Sequence, residues 1–321
     1  MPELIEWRDG VVRATRDLTH DIRTIEIAPS GEFAVPAPGS HINVSVLIRE
    51  RPDVRSYSIV GPCTDGLYRI AVKLLKDTRG GSAYMWNLVL GARVQISGPA
   101  NHFELGLGRP EYLLLAGGIG ITPIFTHALA LAEAKARLRV AYACRSRRDL
   151  ALAEELRERI GGRLQTFPAE DARVDLPAEV AKLDRQGEFY VCGPIALLEA
   201  AKRAWRESGR PMDKLRFETF GSSGRYPSAS FNIKIPRLGI QVAVPADQTM
   251  LEALEEAGVG MIWDCRRGEC GLCALLILEV DGIVDHRDVF FSDAEKAGDA
   301  KLCTCVSRVY GNAITVDTAD R

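Results

Sequence analysis

The chain has no surplus of charge and no stretch able to cross a bilayer. Its 41 basic and 43 acidic side chains leave a formal −2, which removes the usual ground for expecting a nucleic-acid or anionic-membrane partner. The longest mostly apolar run, "LLLAGGIGITPIF", is too short and glycine-rich to span hydrocarbon. The start, "MPELIEWRDG", lacks a basic segment followed by an apolar one. These absences predict a cytoplasmic protein with no nucleic-acid or membrane partner. Internal repeats and low-complexity tracts are also missing, which excludes a repeat array. Histidine is scarce: four of the five have no companion suggesting a metal site or triad, and His286, in "VDHRD", reads as structural or surface. A disulfide framework is excluded as well, because such frameworks belong to small secreted domains, whereas here eight cysteines are spread over 321 residues.

What is present is unevenly distributed. The length exceeds one typical core and predicts two or three domains. Residues 1–228 hold 32 Lys and Arg against 28 Asp and Glu, whereas 229–321 hold 9 against 15, so the last part is an acidic module. Residues 1–103 read as short strands with turn punctuation ("VVRATRDLT", "IRTIEIAPS", "HINVSVLI", "RSYSIVGP", "LYRIAVKLL", "ARVQISGP"), the pattern of an antiparallel barrel or sandwich. Over 104–220, near-continuous apolar runs such as "YLLLAGG", "LRVAYAC" and "EFYVCGP" alternate with helical stretches, which indicates a parallel α/β sheet with ligands at the carboxyl ends of its strands. "GSSGRYPSAS" (221–230) reads as a linker with little to bury. From 231 to 321, a hairpin "FNIKIPRLGIQVAVPAD" precedes an amphipathic helix "TMLEALEEAGV", with Thr249 and Glu252 as a capping box.

Five of the eight cysteines fall between Cys265 and Cys305. "CRRGECGLC" sets Cys265, Cys270 and Cys273 at Cx4Cx2C spacing, unlike the paired short hairpins of a zinc site. Completed by a distant fourth cysteine, it is the plant-type 2Fe-2S pattern. Gly268 and Gly271 suit a loop that wraps tightly and aims N–H groups at sulfur. "KLCTCVSR" offers Cys303 and Cys305 as the fourth ligand; on a strand their side chains point to opposite faces, so only one can serve. Arg266, Arg267 and Glu269 lie in the same loop, the arginine pair being either a docking feature or two solvated loop charges.

"AGGIGITP" follows an apolar strand and opens a helix, so its glycines allow close approach of a ligand whose negative charge the helix start favours, although the full GxGxxG spacing is missing. "YVCGP" ends a later strand on the same rim, where Cys192 is alternatively a small core residue. In "RSYS", alternation sets Arg55 and Tyr57 on one face and Ser56 and Ser58 on the other, and "RGGS" (79–82) at a helix start makes a second anion cradle. "CRSRRDL" offers Arg145, Arg147 and Arg148 for a 2′-phosphate and Asp149 for a ribose hydroxyl.

Taken in order, "RSYSIVGP", "AVKLLKDTRGGS", "GGIGITP", "FYVCGP", "RFETFG", "CRRGECGLC", "DHRD" and "CVSR" resemble the ferredoxin-NADP reductase superfamily, specifically its phthalate dioxygenase reductase and vanillate demethylase reductase type, over nearly the whole chain. The resemblance implies an FMN-binding β-barrel, a Rossmann-like NAD-binding α/β domain and a C-terminal β-grasp plant-type ferredoxin domain. It implies that Arg55, Ser56, Tyr57 and Ser58 contact flavin, Arg55 near its phosphate and Ser58 near its reactive nitrogen. Ala71, Val72 and Lys73 would line the flavin, Gly80, Gly81 and Ser82 would receive its phosphate, and Phe220 would border it. Gly117, Gly118, Ile119, Gly120, Thr122 and Pro123, with Cys192, Gly193 and Pro194, would hold the dinucleotide beside Arg145 and Ser146. Ser58, Thr122 and Cys192 would stand closest to the hydride. The last family cysteine opens "CVSR", which selects Cys305. NADH is expected as donor, with NADPH possible, and the oxygenase component of a Rieske-type aromatic dioxygenase or demethylase as acceptor. Rival readings are a reductase for another monooxygenase or a small carrier, and a zinc-binding interaction module fused to a Rossmann-like sensor.

Overall fold

Alternating β-branched residues in the first block form six strands: β1 (Trp7–Asp17), β2 (Ile22–Pro29), β3 (His41–Ile48), β4 (Arg51–Ser58), β5 (Tyr68–Lys73) and, after the short helix α1 (Gly81–Trp86), β6 (Arg93–Ser97). They pair antiparallel in the order β4-β3-β6-β1-β2-β5. A bridge between Ile59 and Ile70 and the Val60 N–H to Arg69 carbonyl bond of 2.7 Å join the two edges, so the sheet closes. Every second side chain points inward, and Val12, Ile25, Ile27, Ile42, Val44, Val46, Val94 and Ile96 fill the interior. The computed structural model describes residues 6–48, 51–63, 65–75, 80–220 and 226–318. Arg79 and the first half of the expected linker, 221–225, lie outside them.

The second block is β7 (Tyr112–Gly117), α2 (Ile121–Glu133), β8 (Leu138–Cys144), α3 (Ala153–Ile160), β9 (Leu164–Pro168), α4 (Leu176–Lys182), β10 (Glu188–Cys192), α5 (Ile195–Glu207) and β11 (Leu215–Glu218). Its parallel sheet has the order β11-β10-β7-β8-β9, and all residues of β7 and β10 are buried. The chain runs outward from β7 through β8 to β9, then returns to the other side of β7 for β10. The strand order therefore reverses between β7 and β10, where α/β sheets open a ligand crevice. Helix α4 is not foreseen in the sequence. It is short, and its start rests on one interaction, the Asp175 carboxylate accepting from Ala178 N–H at 3.0 Å.

The third block comprises β12 (Phe231–Ile235), β13 (Ile240–Val244), α6 (Met250–Glu256), β14 (Ala274–Asp285), α7 (Asp293–Ala297), β15 (Lys301–Cys303) and β16 (Arg308–Asp317). They form a mixed sheet, β13-β12-β16-β14-β15, in which only β12 and β16 run parallel. The capping box forms as expected, with Thr249 Oγ1 accepting from Glu252 N–H at 3.1 Å and the Glu252 carboxylate from Thr249 N–H at 2.7 Å. The described half of the linker does bury something. Tyr226 stacks on Tyr310 with ring centroids 4.8 Å apart, and its carbonyl accepts from Arg287 at 3.3 Å.

Three sheets make two compact units: the first two belong to one that ends at Glu218, and the third to another that begins at Thr219. Within the first unit a single apolar core joins Ile22, Val60 and Ala71 of the barrel to Tyr112, Ala116, Ile121, Tyr190 and Cys192 of the parallel sheet. Among the described residues no helix is long and apolar enough to cross a membrane.

Candidate functional site

The loop between α6 and β14 is shaped by backbone that most residues avoid. Gly268 and Gly271 hold φ of 75° and 74°, and Arg266 holds 49° without being glycine. A Cβ on Gly268 would lie 2.9 Å from the Asp288 Cα, and one on Gly271 2.4 Å from the Phe290 ring. The wrap directs the N–H groups of Arg267, Glu269 and Cys270 at the Cys265 sulfur, each at 3.4 Å. Such donors favour a thiolate there, against burial, which pushes the thiol up.

Cys303 and Cys305 both reach Cys273, contrary to the expectation that they point apart. The reason is that β15 ends at Cys303, and Thr304 and Cys305 lie in a turn, where the two-residue alternation of a strand no longer holds. The three thiols share one small buried core, where Cys303 and Cys305 push Cys273 down to about 3 and Cys273, together with burial, pushes both of them up. Their positions differ. Cys305 lies in the turn before Val306, which the wrapped loop approaches so closely that a Cβ on Gly268 would lie 2.6 Å from its Cγ2. Cys303 closes β15 two residues earlier, and both sulfurs share a small core with Leu251, Phe291 and Val306. Cys265, Cys270 and Cys273 belong to the wrapped loop, and Cys303 and Cys305 pack in one core with Cys273, so five thiols are at hand where a 2Fe-2S cluster requires four.

Neither loop arginine is an isolated solvated charge. Arg266 pairs with Glu255 at 2.8 Å and lies over the Trp263 ring at 3.8 Å, and Trp263 also donates to Glu255. Arg267 pairs with Glu269 at 3.4 Å. Glu255, at the end of α6, has no signal in the sequence, because nothing in the cysteine spacing points ten residues upstream. "DHRD" has a similar supporting role. Asp288, fully buried, accepts from Phe291 N–H at 2.9 Å and faces Ser307, His286 and Lys296, while Arg287 pairs with Asp285 at 2.7 Å.

In the first unit, β7 and β10 are neighbours with Cys192 opposite Ala116, so "GGIGITP" and "CGP" start from one rim. The turns touch backbone to backbone: a Cβ on Gly120 would lie 2.2 Å from the Cys192 carbonyl oxygen, and one on Gly117 2.7 Å from the Pro194 Cδ. Gly118 differs, with φ of +55° and open space around its missing side chain. That is the bare backbone a dinucleotide phosphate can approach. Ile119 is half-buried and Pro123 buried, and the Thr122 hydroxyl donates to the Ile119 carbonyl at 3.0 Å. Cys192 is fully buried in the shared core, and Gly193 packs on Gly117.

The barrel brings its candidates to the same region, because β5 packs against the Gly118–Gly120 turn. Ser58 ends β4, next to the Ile59–Ile70 bridge and hence to Ala71. Its Oγ is buried and has no hydrogen-bond partner among the described residues. An orphaned hydroxyl of this kind suits a polar ligand atom. Ser56, on the exposed side, donates to Asn43 at 2.6 Å, and burial pushes the Tyr57 phenol up. Arg55 pairs with Asp53 at 2.7 Å and lies along Gly81, where a Cβ would come within 2.7 Å of its Nε. Gly80 caps α1 at φ 112°, and Ser82 Oγ accepts from Leu75 N–H at 3.4 Å. Val72 is buried beside Ala71, and Lys73 is paired with Asp21 at 2.8 Å. Phe220 belongs to the second unit and is partly exposed.

After β8, Ser146 caps a short turn closed by Asp149, whose carboxylate accepts from the Ser146 N–H at 3.0 Å and from its hydroxyl at 2.9 Å. Arg147 is tied to Asp171 at 2.8 Å, and Arg145 and Arg148 are exposed. Asp149 is therefore engaged in its own turn.

Residues 233–310 match the 2Fe-2S iron-sulfur cluster binding domain family, and residues 114–203 match the oxidoreductase NAD-binding domain family. The chain is 35% identical over 320 residues to a tetrachlorobenzoquinone reductase of Sphingobium chlorophenolicum, covering 96% of each. It is 34% identical over 296 residues to the phenoxybenzoate dioxygenase subunit beta of Ectopseudomonas oleovorans, covering 90% of each. The solved structure of a phthalate dioxygenase reductase, described as modular for electron transfer from pyridine nucleotides to [2Fe-2S], superposes with a TM-score of 0.76 at 27% identity, covering 97% of this chain and 98% of that one. With three sheets, two family models and full-length likeness in agreement, the chain belongs to the phthalate dioxygenase reductase-type family, the NAD(P)H-dependent flavin and 2Fe-2S reductase subunits of oxygenase systems.

Proposed function

We propose that this chain is the reductase component of a Rieske-type aromatic dioxygenase or O-demethylase system, using FMN and preferring NADH. The observation that carries the reading is the placement of an orphaned barrel hydroxyl, Ser58, and a bare glycine turn, Gly118–Gly120, in one unit of a chain whose other unit carries Cys265, Cys270, Cys273 and Cys305. A nicotinamide gives up two electrons as one hydride and a 2Fe-2S cluster takes one at a time, so bound flavin supplies the conversion between them. The residues supply position. Gly117, Gly118, Ile119, Gly120 and Pro123, with Gly193 and Pro194, form the dinucleotide seat, and Thr122 and Cys192 close its floor. Arg145 and Ser146 stand at the ribose end. Ser58 Oγ would hold a hydrogen bond to the flavin, with Ser56, Tyr57, Ala71, Val72 and Lys73 lining its seat. Arg55, Gly80, Gly81 and Ser82 receive the phosphate. The domain limits that go with this reading are 1–103, 104–220, a linker at 221–230, and 231–321.

A second reading follows from the likeness to a tetrachlorobenzoquinone reductase. In it, the same cofactors deliver electrons directly to a small quinone. Measuring NADH oxidation by the holoprotein with a purified Rieske oxygenase and its aromatic substrate, and separately with a chlorinated benzoquinone, separates the two. Coupled formation of hydroxylated or demethylated product supports the oxygenase role; turnover confined to the quinone arm overturns it. The mass of the released flavin tests FMN in the same preparation.

A further inference from the structure

Cys303 is a fifth thiol where the cluster chemistry needs four. It is fully buried and closes β15 in register with Ala274, which puts it beside Cys273. Its surroundings are apolar: Leu251, Phe291 and Val306 pack in the same small core. The segment is held on both sides. Thr304 donates to the Cys273 carbonyl through its hydroxyl at 2.8 Å and its N–H at 3.3 Å, and the Ser307 N–H donates to the Cys303 carbonyl at 3.0 Å. Cys305 lies in the turn that follows the strand, next to Val306, against which the wrapped loop packs at Gly268.

We propose that Cys303 is a positioning residue rather than a ligand, donating an S–H···S hydrogen bond to the Cys273 sulfur and thereby raising the reduction potential of a cluster held by Cys265, Cys270, Cys273 and Cys305. This rests on the 2Fe-2S reading and deepens it. An added electron increases the negative charge on the ligand sulfurs, so a donor aimed at one of them stabilises the reduced form more than the oxidised form. Water cannot replace the donor, because Cys303 has no exposed surface.

The test uses the full-length holoprotein and three variants, Cys303→Ala, Cys303→Ser and Cys305→Ser. Iron and sulfide content of the wild type comes first; a protein without them overturns the cluster reading itself before any variant is made. Redox titration followed by visible and paramagnetic-resonance spectra then reads the cluster alone, independently of turnover. Both Cys303 variants are expected to keep the cluster. The alanine shifts the midpoint to lower potential, by up to about tenfold in the one-electron equilibrium, or ~59 mV. The serine, still a donor, retains most of the wild-type value. If the alanine does not accumulate, Cys303→Val removes the donor with an apolar side chain of closer volume. An unchanged midpoint in a donor-free variant with an intact cluster overturns the proposal. Loss of the cluster from both Cys303 variants with its retention in Cys305→Ser overturns it as well, by making Cys303 the ligand.

Discussion

Gly268 packs so close to Val306 that a Cβ there would lie 2.6 Å from the Val306 Cγ2, joining the wrapped loop to the turn after β15 that carries Cys305. Cys303 ends the strand and Cys305 lies in that turn, so two cysteines that spacing alone leaves equivalent differ in place. Cys305→Ser is therefore expected to lose the cluster while flavin and NADH-driven dye reduction survive, since the first unit is compact by itself. Absorbance of the purified variant, with iron content, checks this.

Gly268→Ala tests the loop from its backbone. The substitution forces a side chain into a left-handed conformation, about 1–2 kcal/mol, and drives its Cβ toward the Asp288 backbone, 2.9 Å away. The expected outcome is a lower denaturation midpoint of the second unit and substoichiometric iron. Normal iron loading at unchanged stability would contradict the description of the loop.

The two glycines of the β7–α2 turn are predicted to differ. Gly120→Ala collides with the Cys192 carbonyl at 2.2 Å and should lower the stability of the first unit by more than about 2 kcal/mol. Gly118→Ala meets nothing within 4 Å and should cost only its conformational strain, about 1–2 kcal/mol. It should nevertheless raise KM for NADH about tenfold or more, because the new methyl stands where the dinucleotide approaches. Thermal melts and initial rates of both variants provide the comparison.

Ser58→Ala removes a buried hydroxyl that has no partner among the described residues. Flavin-free protein should be no less stable for it, and up to about 1 kcal/mol more stable. Holoprotein should show flavin reduction by NADH slowed about tenfold or more, ~1.4 kcal/mol. Stopped-flow flavin bleaching reads the second effect and urea denaturation the first.

His127 predicts the pH dependence. It is fully buried between Phe103 and Tyr190, and desolvation pushes its pKa down to about 4 from 6.5. Unfolded chains bind the proton more readily than the folded one between those values, so stability is complete above pH 6.5 and falls as pH drops toward 4. From pH 7 to pH 5 the loss is about 2 kcal/mol. Denaturation midpoints at the two pH values should show it in the wild type, and His127→Asn should flatten the difference.

Much of this organisation is legible in the residues, and the failures have physical reasons. Periodicity locates the strands and the change from an antiparallel to a parallel sheet, because burial on one face or two writes itself directly into sequence. The capping box at Thr249 and Glu252 is legible because it is local. Helix α4 is not, since seven residues starting from one Asp175 cap carry too little pattern. The opposite-face argument for Cys303 and Cys305 fails because it assumes a strand that stops one residue after Leu302. Arg266 reads as a loop charge, yet Glu255 and Trp263 hold it, a tertiary contact with no local signal. Tyr226 sits in linker-like sequence and finds Tyr310 across eighty-odd positions for the same reason.

The central claim is a path from nicotinamide through flavin to a 2Fe-2S cluster within one chain. An anaerobic NADH titration of the purified holoprotein, followed by visible absorption and low-temperature paramagnetic resonance, tests it most directly. The account predicts bleaching of both the flavin and the iron-sulfur bands, with one reduced-cluster signal per chain. Flavin reduction with the cluster left oxidised, or a colourless zinc-containing protein, would contradict it.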